Sequence, residues 1–169
     1  MSYKGNYKLV HPEKYEGDIH NIVYRSLWER DVMYHFDHNS NVLQWSNEEI
    51  VIPYISPLDM RVHRYFPDFF VKIRTTDGKI IQSIIEVKPK KQTIEPKKPK
   101  TPSRKFMNES TKYLVNTAKW EAAQKFCDKN NLEFKIMTEY DIYGPSGKKY
   151  SYGKNKRHTK KTRGKRKRE

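Results

Sequence analysis

Two carboxylates and one amine are spaced so that a predicted β-hairpin brings them together. Asp68 follows Pro67 at the start of one apolar strand, and Glu86 and Lys88 lie two residues apart at the end of the next. Because side chains alternate between the faces of a strand, Glu86 and Lys88 project to one face, where Asp68 can meet them across the pair. Burying these charges without mutual compensation or a metal is costly. The spacing therefore predicts a divalent metal site at one end of the hairpin.

Oxygen donors of this kind suit a hard cation. Mg²⁺ prefers carboxylate and water oxygens, and it keeps several waters when a few acids hold it. A cation held by Asp68 and Glu86 would polarise a phosphoryl oxygen and lower the pKa of a coordinated water. Lys88 would orient that water or neutralise charge developing on the phosphorus. The alternative is an exposed strand face with a Glu–Lys pair, which is worth little energetically.

The same residues resemble the Pro-Asp…Glu-x-Lys pattern of the restriction-endonuclease-like nucleases. Here the pattern consists of Pro67-Asp68 followed by Glu86-Val87-Lys88. Many nucleases of this group place a further acid on the helix before the sheet, where Glu29 lies in this chain. Ser26 and Glu29 also form a capping-box pattern, which needs Glu29 only to start a helix. Both interpretations of Glu29 remain open at this point.

Hydrophobic periodicity and turn residues predict the elements that position these side chains. Two adjacent strands joined by the Asp77-Gly78 turn signal should pair as an antiparallel hairpin. The order of elements indicates an α/β fold with a mixed sheet covered by helices. The predicted helices are 24–36 (N-cap Ser26) and 108–130. The predicted strands are 42–45, 49–52, 65–73, 80–88 and 132–138. The remaining segments are an irregular arm at 1–21, a polar loop at 56–64 and a Pro/Lys-rich exposed loop at 89–102.

The same patterns predict which side chains face the core. The strand faces and helix faces expected to be apolar are Phe69, Val71 and Ile73; Ile81, Ile85 and Val87; Trp28, Val32 and Phe36; and Leu114, Ala118, Ala122 and Phe126. Cys127 is predicted to be a buried small apolar residue. His63 is predicted to be a solvated loop histidine rather than a proton-transfer group.

Positive charge is concentrated at the C-terminal end of the 169-residue chain, whose formal net charge is +15. Residues 144–169 carry twelve Lys or Arg and one acid and have almost nothing apolar to bury, so they are predicted to be disordered when free. A polyanion is their natural partner, because each neutralised phosphate releases counterions. A solubilising tail or a patch for an acidic protein are the alternatives. The predicted DNA-binding residues are Arg64, Lys90 and Lys91 in the body and Lys154, Lys156, Arg157, Lys160, Lys161, Arg163, Lys165, Arg166, Lys167 and Arg168 in the tail.

Composition excludes several classes of protein. The longest uninterrupted apolar runs have three residues, too few to span a bilayer, and the N-terminus lacks the apolar stretch of a secretory leader. A single cysteine, Cys127, excludes an internal disulfide framework and a multi-cysteine zinc site. We therefore expect a soluble chain from a reducing compartment, with no membrane partner.

Over about residues 15–140 the chain resembles the head-completion nuclease family of T-even-type tailed bacteriophages. A more distant similarity, limited to the helix acid, Asp68 and the strand, is to the TnsA-type transposon end-cleaving nucleases. The matching stretches are Tyr24-Arg25-Ser26-x-Trp28-Glu29, Trp45, Ile52-Pro53-Tyr54, Arg64-Tyr65-Phe66-x-Asp68, Ile85-Glu86-Val87-Lys88-Pro89-Lys90-Lys91, Phe106-Met107-Asn108-Glu109, Val115-Asn116-Thr117-x-Lys119-Trp120-x-Ala122-Ala123 and Thr138-Glu139.

The resemblance implies a restriction-endonuclease-like domain over residues 1–143, with 144–169 as a basic tail. It places catalytic roles on Glu29, Asp68, Glu86 and Lys88, and it favours the catalytic interpretation of Glu29. The implied metal ligands are Asp68, Glu86, Glu29 and the backbone carbonyl of Val87. The expected ion is Mg²⁺, for which Mn²⁺ would substitute.

The implied activity is metal-dependent hydrolysis of DNA, trimming packaged DNA in phage heads before the tail joins. The expected partners are double-stranded DNA and portal or neck proteins of the head. The expected location is the host cytoplasm during assembly, with retention in the virion left open. The rival prediction is a non-catalytic head-completion protein that binds DNA or the portal, and a third is a transposon-type end nuclease with a partner transposase.

Overall fold

A four-stranded mixed sheet lies at the centre of this computed structural model, which describes residues 3–148. The predicted tail residues from 149 onward lie outside the described part of the chain. The elements are β1 (Gly5–Asn6), β2 (Val23–Tyr24), α1 (Leu27–His38), β3 (Val42–Asn47), β4 (Ile52–Ile55), β5 (Val62–Tyr65), β6 (Phe69–Arg74), β7 (Ile80–Val87), α2 (Arg104–Asn130), β8 (Glu133–Met137) and α3 (Glu139–Tyr143), with 3₁₀ turns at Pro12–Lys14 and Lys90–Thr93.

The central sheet has the strand order β3-β6-β7-β8. β6 pairs antiparallel with both β3 and β7, whereas β7 and β8 are parallel. A parallel pair needs a long crossover connection, and the chain from the Pro/Lys-rich loop through α2 supplies it. The predicted β6–β7 hairpin is confirmed, with Gly78 at φ +82° in its turn, a backbone conformation that glycine adopts without steric cost. The predicted mixed α/β fold is also confirmed.

Each face of the central sheet packs on one long helix. Phe69, Val71, Ile85 and Val87 pack with the buried residues of α1 on one face. Ile84 packs on the other face, with Ala123 and Cys127 of α2 and with residues of β4 and β5. The predicted faces of β6 and β7 and the predicted burial of Cys127 are therefore confirmed.

The predicted strand 65–73 is wrong in its first half. Val62–Tyr65 forms β5, which pairs with β4 in a separate two-stranded sheet, so residues 62–64 are not loop. Pro67 lies between β5 and β6 and has no N–H to donate to a ladder, which separates the two strands. The predicted strand 49–52 instead spans Ile52–Ile55 and includes Pro53. Proline is tolerated there because, within residues 3–148, β4 pairs with β5 alone and is an edge strand.

Helix boundaries and one helix face also differ from the predictions. α1 begins after its confirmed N-cap, Ser26, and α2 begins at Arg104, where the Ser103 side chain accepts a hydrogen bond from Phe106 N. Leu114, predicted to be buried, is 55% exposed, because the face of α2 that meets the core passes through Ala123 and Cys127. The short helix α3 was not predicted, although Thr138 and Asp141 form a capping box at its start.

The N-terminal arm is not irregular throughout, since β1 pairs with β2 and a buried carboxylate fixes the next residues. Asp37 on α1 is 0% exposed. Its two oxygens accept hydrogen bonds from Tyr7 Oη (3.0 Å), Val10 N (2.8 Å) and His11 N (2.9 Å). The arm is therefore attached to the domain through one side chain.

None of the helices within residues 3–148 has the length and apolar character needed to cross a membrane.

Candidate active site

The carboxylate of Asp68 is held at the end of β7 by the backbone. The last residue pair of the β6–β7 ladder is Phe69 with Ile85, so the same register places Asp68 opposite Glu86. Asp68 Oδ2 accepts a hydrogen bond from Val87 N at 2.6 Å. The Asp68 carbonyl accepts from Asn47 Nδ2 (3.0 Å) and Glu48 N (3.2 Å) at the end of β3. Three strands therefore fix the position of this residue.

Glu86 is buried, with 4% of its surface exposed. One carboxylate oxygen, Oε1, lies 2.6 Å from Lys88 Nζ, and the other, Oε2, accepts a hydrogen bond from Tyr65 Oη at 2.7 Å. Lys88 Nζ also lies 3.3 Å from the Val87 carbonyl oxygen. The predicted meeting of Asp68, Glu86 and Lys88 at one end of the hairpin is what the structure shows, and the exposed ion-pair alternative does not describe it.

The electrostatics of the site disfavour a second negative charge beside Glu86 when no cation other than Lys88 is near. Burial, and then the negative charge of Glu86, raises the pKa of the Asp68 carboxyl group above its usual range. Burial alone would lower the pKa of Lys88, but the charges of Asp68 and Glu86 and the hydrogen bond to Glu86 outweigh it and raise that pKa. Lys88 is therefore a cation, and one cation faces two carboxyl groups.

These donors fit a magnesium ion better than a metal that needs many protein ligands. Among residues 3–148, no three or more His, Cys, Asp or Glu side chains are placed to hold one metal ion. Mg²⁺ is usually bound by one or two carboxylates and keeps several waters. A cation would also offset the two effects that raise the Asp68 pKa, first its burial and then the repulsion from Glu86. The pair is thus chemically suited to Mg²⁺.

Glu29 caps α1 and also lies near the site. Its carboxylate accepts hydrogen bonds from Arg25 N (2.6 Å) and Ser26 Oγ (2.8 Å), and its own N–H donates to Ser26 Oγ (3.2 Å). Its negative charge acts on both Asp68 and Lys88. Glu29 also lines, with Trp28, Val87 and Lys88 among others, an open cleft of about 490 Å³. The capping role is present in the structure, and a role in catalysis stays a prediction.

The predicted DNA-binding residues of the body are close in sequence to Tyr65 and Lys88. Arg64 is exposed on β5, with its guanidinium 5.8 Å from the centroid of the Phe66 ring. Lys90 donates through its backbone N–H to Glu139 Oε2 (2.8 Å), and Lys91 Nζ lies 2.9 Å from Glu109 Oε1. An exposed ion pair of this kind contributes little to stability, so Lys91 could exchange Glu109 for a phosphate. DNA contact by these residues stays a prediction.

Two residues beside the site received no functional role from the sequence. Tyr65 hydrogen-bonds Glu86, and Lys119 of α2 places its Nζ 5.6 Å from the centroids of the Tyr54 and Tyr65 rings. Both residues belong to stretches that carry the family resemblance, but the side chains they would contact were not evident. His63, predicted to be solvated, pairs at the surface with Asp59 at 2.8 Å.

Comparison with known proteins agrees with this geometry. The TnsA-like endonuclease N-terminal domain matches residues 39–139, a stretch that includes Asp68, Glu86 and Lys88. The head completion nuclease of enterobacteria phage T4 is 38% identical over 143 residues, which cover 82% of this chain and 93% of the phage protein. The chain therefore belongs to the TnsA-like endonucleases and to the family of the T4 head completion nuclease.

Proposed function

We propose that this protein is a nuclease of phage head completion that hydrolyses DNA phosphodiester bonds with Mg²⁺ held by Asp68 and Glu86. The observation that carries the proposal is the meeting of Asp68, the buried Glu86 and the ion-paired Lys88 at one end of the hairpin. The head-completion role rests on the T4 relative. Trimming of packaged DNA before tail joining, docking on portal or neck proteins, and action in the host cytoplasm are parts of the same proposal.

In this mechanism each side chain has a defined task. Asp68 and Glu86 would hold the metal, with the Val87 carbonyl as a further oxygen donor. When bound, Mg²⁺ polarises the phosphoryl oxygen and lowers the pKa of a coordinated water. Lys88 is kept charged by the two carboxylates, so it stabilises negative charge that develops on the phosphate or orients the attacking water. Glu29 borders the open cleft, through which the attacking water or the DNA strand would enter.

A plasmid digestion tests the metal requirement. With Mg²⁺ or Mn²⁺ we expect supercoiled plasmid to be nicked or shortened, and we expect excess EDTA to stop the reaction completely, because the two carboxylates alone supply no electrophile. Gel analysis of the products over time also distinguishes internal nicks from progressive shortening. Full cleavage in excess chelator would overturn the metal assignment. Binding of DNA with no cleavage under any metal would favour the non-catalytic alternative.

If the basic tail contacts DNA phosphates, it should make the binding constant for DNA fall more steeply with salt concentration. Removing residues 144–169 should make the plot of log binding constant against log salt less steep, by about 0.9 for each phosphate contact that is lost. Fluorescence anisotropy with a duplex oligonucleotide at several salt concentrations measures the slope. The matched control is a full-length chain with Lys90 and Lys91 replaced by Gln, which should lose at most two contacts. A slope that truncation leaves unchanged would mean that the tail binds something other than DNA.

A further inference from the structure

Glu86 is held by two partners that differ in kind. Lys88, on the same strand, pairs with Oε1, whereas Tyr65, at the end of β5, donates to Oε2. Each oxygen retains a lone pair that these contacts do not use. Tyr65 belongs to the small β4–β5 sheet, so its hydrogen bond joins that sheet to the central one at the site.

The Tyr65 side chain is part of the hydrophobic core. Only 3% of its surface is exposed, and its ring packs in the cluster that contains Ile84 of β7 and Cys127 of α2. Its hydroxyl lies at 2.7 Å from Glu86 Oε2 in a buried environment. The packed ring therefore places its hydroxyl against one oxygen of Glu86, and this hydrogen bond favours one orientation of the carboxylate.

Lys119 restrains the Tyr65 ring from the side of α2. Its Nζ lies 5.6 Å from the centroids of both the Tyr54 and the Tyr65 rings, within the range at which a cation is attracted to an aromatic face. The helix, the β4–β5 sheet and the central sheet therefore converge on one carboxylate through Lys119, Tyr65 and Glu86.

We propose that Tyr65 is a positioning residue that orients the Glu86 carboxylate for the metal, and that Lys119 holds Tyr65 in place. The inference rests on the proposed metal site of Asp68 and Glu86. Groups that orient a metal ligand commonly change metal affinity by 10- to 100-fold when they are removed. A rotated Glu86 would present its lone pairs away from Asp68, so the effect appears in metal affinity before DNA is added.

The test is Mn²⁺ binding by the full-length protein without DNA, followed by the loss of the electron paramagnetic resonance signal of free Mn²⁺. Y65F should raise the Kd for Mn²⁺ by about tenfold, and K119M should raise it by about two- to fivefold. Y54F is the matched control: it removes the hydroxyl from the other ring beside Lys119, and the Kd should stay unchanged. With saturating Mn²⁺, Y65F should lower kcat for plasmid cleavage while KM for DNA is retained.

The outcomes separate this inference from the proposed function. Wild-type affinity for Mn²⁺ in Y65F would overturn the positioning role and leave the metal site intact. Equal weakening in Y65F and Y54F would also overturn it, because a general loosening of the β4–β5 sheet would then be the cause. Failure of the wild-type protein to bind Mn²⁺ at all would overturn the proposed metal site and this inference together. Thermal unfolding of each variant shows whether the fold is retained. K119M tests the same contacts without removing the buried hydroxyl of Tyr65.

Discussion

Replacing Glu86 by glutamine should lower the rate of DNA cleavage by about a thousandfold or more. Glutamine has the shape of glutamate and can still accept the hydrogen bond from Tyr65, which is 2.7 Å long in the structure. The substitution removes the negative charge that a cation needs. D68N should have an effect of the same size, since its amide oxygen can still accept from Val87 N. Single-turnover cleavage of a labelled duplex measures the chemical step in both variants.

E133Q is the matched control for these variants. Glu133 lies on the neighbouring strand β8 and pairs at the surface with Lys135, so it shares the sheet and the residue type but not the site. Its cleavage rate should equal that of the wild-type protein. DNA binding in EDTA should be retained by E86Q and D68N, because phosphate contacts depend on cations elsewhere on the chain. Wild-type cleavage by E86Q or D68N would remove these residues from the mechanism.

The same assay distinguishes the two roles of Glu29. Its cap accepts hydrogen bonds from Arg25 N and Ser26 Oγ on two different oxygens. Glutamine can still accept from Arg25 N through its amide oxygen, while its amide NH2 can donate to Ser26 Oγ instead. A role near the metal needs the charge that acts on Asp68 and Lys88. E29Q should therefore keep the unfolding midpoint and lower cleavage about tenfold. Unchanged cleavage would leave Glu29 with the cap alone.

Replacing Asp37 by alanine should lower the free energy of unfolding by about 3–5 kcal/mol. The substitution leaves two backbone N–H groups and the Tyr7 hydroxyl without their acceptor, and it empties a fully buried position. Small domains are stabilised by only about 5–15 kcal/mol, so the loss is a large share of the total. Urea unfolding followed by tryptophan fluorescence is a suitable measurement, because Trp45 is buried and contacts Tyr7 and Tyr15.

Two further variants make the Asp37 result specific. D37N keeps one acceptor oxygen and should lose about half as much stability as D37A. E121A changes an exposed acid on α2 and should stay within about 0.5 kcal/mol of the wild-type protein. A loss below about 1 kcal/mol in D37A would show that the arm is held by its other contacts.

The sequence was most informative where neighbouring residues determine the structure. The Asp77-Gly78 turn and the alternation of Phe69, Val71, Ile85 and Val87 predicted the hairpin, its faces and the meeting of the acids with Lys88. Each of these features depends on residues in one continuous stretch. The N-cap Ser26 was predicted for the same reason, since a cap acts within four residues.

Features that depend on distant residues were not predicted. Tyr65 meets Glu86 across 21 residues of sequence, and Tyr7 meets Asp37 across 30. Neither separation carries a periodic signal, because the contacts arise from the way separate elements pack. Leu114 fits the helical period as well as Ala118 does, yet the neighbouring Val115 packs against the core while Leu114 is exposed. Tertiary packing, rather than helix propensity, decides which positions of such a helix are covered.

The parallel pairing of β7 with β8 has a consequence for synthesis of the protein. Ser83 pairs with Glu133, and Lys88 N donates to Met137 O at 2.9 Å. On the ribosome, the strand that carries Glu86 therefore emerges some 50 residues before the strand that completes its hydrogen bonding. Until then β7 is an open edge, and the candidate site lacks the strand that supports Lys88. We therefore expect the β7 end of the candidate site to be completed only after β8 has left the exit tunnel.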